Sequence, residues 1–308
     1  MTMPSPTIQP ELAQKFTDVF GDAGRAWIAG FPAMFERLRE QWDIADVGET
    51  YGYVGYAWVA PVTLRDGTKA VLKAAPADKE YATEYEAMRL YAGDGAARLI
   101  AGDPDAVAIL LERIEPGTTL AELDDDVSAT EIAGLAMRRL FRPLPAGHGF
   151  PTVERWGLAF GRFRAANNGT SGGFPAELFD PAERIYAELT ASQDTAVLLH
   201  GDLHHWNILR AEREPWLVID PKGVAGEPAY EVCALLRNRT GIEPDARKLA
   251  ERRIAQLSDI LEVDARRLTL WAFAAGVLSA IWYFEDHGVL RDENVELVQA
   301  LLPAIRAL

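Results

Sequence analysis

Most of the residues able to do chemistry fall between His200 and Gly223. The first run is His200-Gly201-Asp202-Leu203-His204-His205-Trp206-Asn207-Ile208-Leu209. The second is Trp216-Leu217-Val218-Ile219-Asp220-Pro221-Lys222-Gly223. An apolar strand, Ala196–Leu199, delivers the chain to the first, and a second apolar strand ends on Asp220. Asn207 and Asp220 offer amide and carboxylate oxygens, the donors that a small hard cation such as Mg²⁺ prefers. Asp202 is then left to face a hydroxyl group. One Asp for the nucleophile, with one Asn and one Asp for metal, is the division of labour of kinase phosphoryl transfer. Such transfer needs in-line positioning and charge neutralisation more than a strong base.

A second chemistry has to be weighed. His200, His204 and His205 are three of the five histidines in the chain, and a cluster of that kind can bind zinc in a hydrolase. No cysteine is near in sequence, and Lys222 would place a cation beside the supposed metal. Both features weigh against zinc.

The pattern His200-Gly201-Asp202-x-x-x-x-Asn207 with Ile219-Asp220 resembles the aminoglycoside phosphotransferase family, small-molecule kinases with a protein-kinase-like fold. Gly201-Asp202-Leu203-His204-His205 and Ile219-Asp220-Pro221-Lys222-Gly223 are similar to the branch of streptomycin 6-kinases and hydroxyurea phosphotransferases. The resemblance continues through Gly226-Glu227-Pro228-Ala229-Tyr230-Glu231 and, more weakly, back to residue 51. It implies a bilobal α+β fold with a small antiparallel-sheet N-lobe and a mainly helical C-lobe. It implies ATP and Mg²⁺ as cofactors, Asp202 as the catalytic residue, and Asn207 and Asp220 as metal ligands. Lys73, at the end of the strand Lys69–Lys73, would contact the α- and β-phosphates. Such a lysine needs an acidic partner on the following helix. Glu84 and Glu86 compete for that part. Glu84 shares a helical face with Tyr81, Tyr85, Met88 and Tyr91, so it is the expected partner. Leu110-Leu111-Glu112-Arg113-Ile114 resembles the family's interlobe linker, where the backbone of Glu112 and Ile114 would pair with the adenine edge. Tyr51–Gly55 would form the phosphate-covering turn, and His200 would orient the catalytic loop through hydrogen bonds. Many relatives carry Asp in the stretch where this chain has Glu231. Lys222 either contacts a phosphate or pairs with Glu227 or Glu231.

The acceptor implied by the branch is a hydroxylated small molecule, foremost an aminoglycoside such as streptomycin. Hydroxyurea or another metabolite is the alternative, and a nucleotide-binding pseudokinase the more distant one. Guanidinium groups pair bidentately with carboxylates. Glu227, Glu231, Glu285 and Asp286 are therefore candidate acceptor contacts, with Trp282 and Tyr283 available for cation–π attraction.

The elements that must position these residues follow from periodicity. Residues 10–42 read as helical, with apolar stripes of Leu12, Phe16, Val19 and Phe20 and of Met34, Phe35, Leu38 and Trp42. Residues 51–62 are rich in Gly, aromatics and β-branched types, and Asp66-Gly67 predicts a hairpin. Residues 79–92 return to a helix, and Ala106–Arg113 is a buried strand. The second half is mostly helical: 129–141, 153–167, 245–262, 264–284 and 292–307. A short strand pair, Val197–Leu199 and Trp216–Ile219, lies among them. The segments 143–151 and 167–175 read as mobile loops. Domains of 1–113 and 114–308 are expected.

Composition bounds the rest. The chain has 308 residues, 49% of them hydrophobic and 25% charged, the mix of a globular enzyme. Cys233 is the single cysteine, so no internal disulfide can form. It sits in an apolar run and reads as a small buried hydrophobe. The first residues lack the basic start and apolar core of a signal peptide, and no run of 18 apolar residues predicts a membrane span. A cytoplasmic protein is expected. With Lys+Arg at 31 and Asp+Glu at 46, the net charge of −15 opposes nucleic acid and favours a cationic small-molecule partner. The oligomeric state stays open.

Overall fold

A computed structural model describes residues 6–51, 55–76, 79–238 and 245–307. The chain divides into two compact units, Met1–Gly117 and Thr118–Leu308.

The first unit is built on a five-stranded antiparallel sheet of order β1-β2-β3-β5-β4. The strands are β1 (Ile44–Val47), β2 (Trp58–Leu64), β3 (Lys69–Ala74), β4 (Leu99–Asp103) and β5 (Ala108–Glu112). The Asp66-Gly67 hairpin joins β2 to β3. Gly67 takes φ +88°, and the Asp66 carboxylate accepts the Thr68 N–H at 2.9 Å. On β3 the side chains alternate, so Ala70, Leu72 and Ala74 are buried while Lys73 leaves by the other face.

Helix α1 (Pro10–Gln41) covers the face of Ala70, Leu72 and Ala74. It buries Leu12, Phe16, Phe31, Phe35 and Leu38 with Trp58, whose ring lies 5.0 Å from that of Phe31. Gly21 interrupts it with φ 57° and ψ −127°, and Val19, expected on the first stripe, is exposed. Helix α2 (Lys79–Tyr91) carries Glu84. Strands β1 and β4 were not legible. Both are short sheet edges, and neither buries alternate residues cleanly. On β4 a Cβ at Gly102 would lie 2.3 Å from the Tyr85 ring, so the strand accepts only glycine there. Strand β2 starts at Trp58, later than residue 51, and Gly52, Tyr53 and Val54 of the expected phosphate-covering turn lie outside the described residues.

The second unit starts within strand β6 (Pro116–Thr119). Its helices are α3 (Asp126–Leu140), α4 (Val153–Ala166), α5 (Ala176–Ala191), α6 (Val232–Arg237), α7 (Ala246–Leu261), α8 (Ala265–His287) and α9 (Asp292–Ala307). Helix α8 is long and apolar enough to cross a membrane by length and composition alone, but its residues from Leu268 to Ile281 are largely buried inside this unit. Helix α5 was not expected. Pro175 and Pro181 interrupt the reading, although Leu178, Phe179, Ala182, Ile185, Tyr186 and Leu189 form a buried helical stripe. The preceding 167–175 segment is pinned rather than loose, because Phe174 is buried with its ring 5.2 Å from Phe163.

The expected strand pair is corrected. Strand β8 (Val197–Leu199) pairs with β11 (Val224–Gly226) and β7 (Arg142–Pro143), while β10 (Trp216–Val218) pairs with β9 (Ile208–Ala211). The two apolar strands flanking the catalytic-type loop thus belong to different small sheets. The chain between them is held by local hydrogen bonds.

Candidate active site

His200 holds the site of the second unit together. It is fully buried at the end of β8. Its Nε2–H donates to the Ile219 carbonyl at 2.9 Å, and its Nδ1 accepts the Asp202 N–H at 3.2 Å. That pairing fixes the tautomer and requires a neutral ring. Burial agrees, pushing the His200 pKa down to about 4. The His200 carbonyl accepts the N–H groups of Lys222 and Gly223 at 2.8 and 3.2 Å. Both ring nitrogens are therefore used inside the protein, which removes His200 from any zinc ligand set.

Asn207 supplies the second tie. Its carbonyl accepts the Ile219 N–H at 3.0 Å, and its Nδ2 donates to the Asp202 carbonyl at 3.0 Å. The loop of Asp202 and the turn of Asp220 are thus joined on both sides of Ile219. Committing Nδ2 to Asp202 turns the Asn207 Oδ1 the other way, as an oxygen donor. Asp220 follows with φ +61°, an unfavourable conformation for a residue with a Cβ that a fixed site must impose. An amide oxygen and a carboxylate oxygen brought to adjoining turns form a donor set that fits a hard divalent cation.

The Asp202 carboxylate is partly exposed. Arg237 Nη2, at the end of α6, lies 3.5 Å from its Oδ1, and His204 Nε2 lies 3.8 Å from its Oδ2. Arg237 was missed in the sequence because only the fold returns α6 to the loop.

Glu231 acquires a definite place. Its carboxylate accepts the N–H groups of His200 at 2.7 Å and Gly201 at 3.0 Å, and also that of Leu203. Burial pushes its pKa up to about 7, against the pull of those N–H groups. Glu227 is buried as well. It receives Arg267 Nε on both oxygens, at 2.9 and 2.7 Å, and the Trp271 indole N–H. Neither carboxylate is available to a cationic acceptor, which corrects the expectation for both. Of the four, Glu285 and Asp286 are exposed. Cys233 is buried and free, and burial raises its thiol pKa.

Gly201 is required by space and conformation. It takes φ +84°, and a Cβ there would lie 2.8 Å from Val224 Cγ1 and 3.0 Å from Trp156 Cη2. Gly201→Ala should destabilise the protein by about 1–3 kcal/mol and lower kcat, because relief of the contact must move the loop that carries Asp202. A thermal melt and a steady-state assay check both. An unchanged melting temperature would contradict the packing described.

In the first unit, Lys73 Nζ meets both oxygens of Glu84, at 2.7 and 2.8 Å. Glu84 is buried, whereas Glu86 binds Arg89 on the same helix. Glu112 ends β5. Its N–H donates to the Arg98 carbonyl at 2.8 Å and its carboxylate accepts the Arg98 N–H at 3.0 Å, so the side chain closes the sheet edge. Ile114 is buried two residues on.

The family model for aminoglycoside/hydroxyurea antibiotic resistance kinases matches residues 41–288. Streptomycin 6-kinase of Streptomyces glaucescens is 34% identical over 96% of this chain and 96% of its own length. Hydroxyurea phosphotransferase of Kitasatospora aureofaciens is 34% identical over 96% of this chain and 86% of its own. Among solved structures, an aminoglycoside phosphotransferase of Streptomyces rimosus in complex with ADP and streptomycin aligns with a TM-score of 0.57. It covers 80% of this chain and 97% of its own at 17% identity, a likeness of fold.

Proposed function

The chain belongs to the aminoglycoside/hydroxyurea antibiotic resistance kinase family, and from that premise we propose that it transfers the γ-phosphoryl group of ATP to a hydroxyl of streptomycin or a closely similar aminoglycoside. The observation that carries the reading is the stitched loop pair. His200 and Asn207 bring Asp202, the Asn207 amide oxygen and the Asp220 turn into one rigid array. Asp202 accepts a hydrogen bond from the acceptor hydroxyl and takes its proton late, as the oxygen bonds to phosphorus. The Asn207 and Asp220 oxygens hold Mg²⁺, which neutralises charge on the phosphates when bound. Lys73 contacts the α- and β-phosphates and is held in place by Glu84. The Glu112 carbonyl and the Ile114 N–H read the adenine edge. We place the nucleotide-binding part in residues 1–113 and the catalytic and acceptor-binding part in 114–308.

A second acceptor, hydroxyurea, is favoured by one finding: a hydroxyurea phosphotransferase is also 34% identical to this chain, over 96% of it. An ADP-release assay with Mg²⁺-ATP separates the two. Streptomycin, other aminoglycosides and hydroxyurea are offered in turn, with Asp202→Asn as the blank. Streptomycin-dependent release, absent in the variant, is expected. Release with hydroxyurea alone would keep the kinase and replace the acceptor. No release with any acceptor would defeat the proposal.

A further inference from the structure

Trp206 stands out in the catalytic loop. Among the described residues of the second unit it is the one Trp, Tyr or Phe side chain that is exposed, at 46%. It lies four residues after Asp202 on the short turn His205–Asn207. The buried residues on either side, His205 and Asn207, fix that turn. The His204 ring bridges from Trp206 to Asp202. Its Nε2 is 3.8 Å from Asp202 Oδ2, and its centroid is 5.7 Å from the indole at an interplanar angle of 77°. The His205 ring flanks the indole as well, at 6.3 Å.

An indole exposed in water has a cost unless something covers it. Here it is separated by the His204 ring alone from the group that must meet the acceptor hydroxyl. Indole is also the strongest aromatic binder of cations, and guanidinium stacks on it well. The other two aromatics considered for this part are occupied. Tyr283 stacks on His287 at 4.2 Å and has the Arg291 guanidinium 5.4 Å from its ring. Trp282 is half-buried, set edge to face with Trp156 at 5.5 Å. His204 does not compete as a cation, because burial lowers its pKa.

We infer that Trp206 is the acceptor-binding platform of this kinase, taking the guanidinium face of the acceptor while Asp202 meets its hydroxyl. The inference rests on the proposed aminoglycoside kinase reading and adds the residue that selects the acceptor. Trp206→Ala should raise the KM for streptomycin by roughly 3–30-fold, while the KM for ATP changes less than about twofold. Trp206→Phe, which keeps a π-face, should recover most of the loss. A binding readout runs without ATP in the Asp202→Asn background: streptomycin should quench indole fluorescence, and Trp206→Phe should abolish the quench. Should Trp206→Ala fail to fold, the Phe variant and the quench decide the matter. An unchanged streptomycin KM in the Ala variant, or a quench that survives Trp206→Phe, overturns the inference and leaves the kinase reading intact. Failure of streptomycin to bind or turn over in otherwise wild-type enzyme overturns the acceptor reading, and this inference with it.

Discussion

Asp202→Asn is expected to lower kcat by roughly 10²–10⁴-fold, with ATP affinity changed less than about twofold. Its size comes from what the substitution removes. The amide cannot accept a proton from the acceptor hydroxyl, and it no longer directs a negative charge at it. Its selectivity comes from what is kept. The Asp202 backbone N–H bonds His200 Nδ1 and its carbonyl bonds Asn207 Nδ2, and neither contact involves the carboxylate. Asn has nearly the shape of Asp, so the loop stays in place. The loss should appear in kcat, with melting temperature close to that of the wild type. Arg237, 3.5 Å from Asp202 Oδ1, is left facing a neutral amide, and the site becomes more positive. Steady-state kinetics, ATP titration and a melt together check this. A variant that keeps more than about a tenth of wild-type kcat would show that Asp202 does not take the proton.

How much of this was legible before folding differs between the two kinds of residue. Lys73 and Glu84 could be paired from the sequence because both signals are local. One is a strand end, and the other is a position on a helical stripe that excludes Glu86. Asp202, Asn207 and Asp220 stand out by residue type and by the resemblance to a kinase loop, and the structure ties their turns together through His200, Asn207 and Ile219. The anchors were not legible. Glu231 and Glu227 read as acidic residues open to a cationic ligand. They are buried acceptors because β11 returns beside β8 and carries the following turn under the catalytic loop. No periodicity carries that information. Nothing in the spacing around Arg237 or Arg253 marks either residue, and only packing brings one to Asp202 and encloses the other. Helix α5 was hidden by its prolines, although its apolar spacing was intact.

Arg253 supplies the largest expected effect on stability. It is fully buried, and each of its five guanidinium N–H groups has an acceptor. Nε donates to Asp126 Oδ2 at 3.1 Å, and one Nη2 hydrogen goes to Asp126 Oδ1. Nη1 donates to the carbonyls of Leu235 and Asn238, each at 3.0 Å. The remaining Nη2 hydrogen faces His205 Nε2 at 3.5 Å. His205 suits that place as a neutral acceptor, since burial and then the Arg253 charge push its pKa down to about 4. One side chain therefore ties α7 to the start of α3, to the last carbonyls of α6 and to the turn that carries Trp206. Arg253→Met would bury a comparable volume, remove the Arg253 donor from the carbonyls of Leu235 and Asn238, and take from Asp126 its fully buried charge partner. The expected loss is roughly 3–5 kcal/mol, because removing one partner of a buried ion pair leaves the other uncompensated. The melting temperature should fall by about 10 °C. Arg253→Met with Asp126→Leu should cost clearly less than the sum of the two single changes, because the double variant removes both fully buried charges and leaves only Arg252, which is 35% exposed. Additive losses in that double-mutant cycle, or a single-variant loss below about 1 kcal/mol, would mean that the cluster is not what holds α6 and the catalytic turn together. A drop in kcat at a temperature where Arg253→Met remains folded is also expected, because α6 carries Arg237 to Asp202 and the loosened turn carries Asn207.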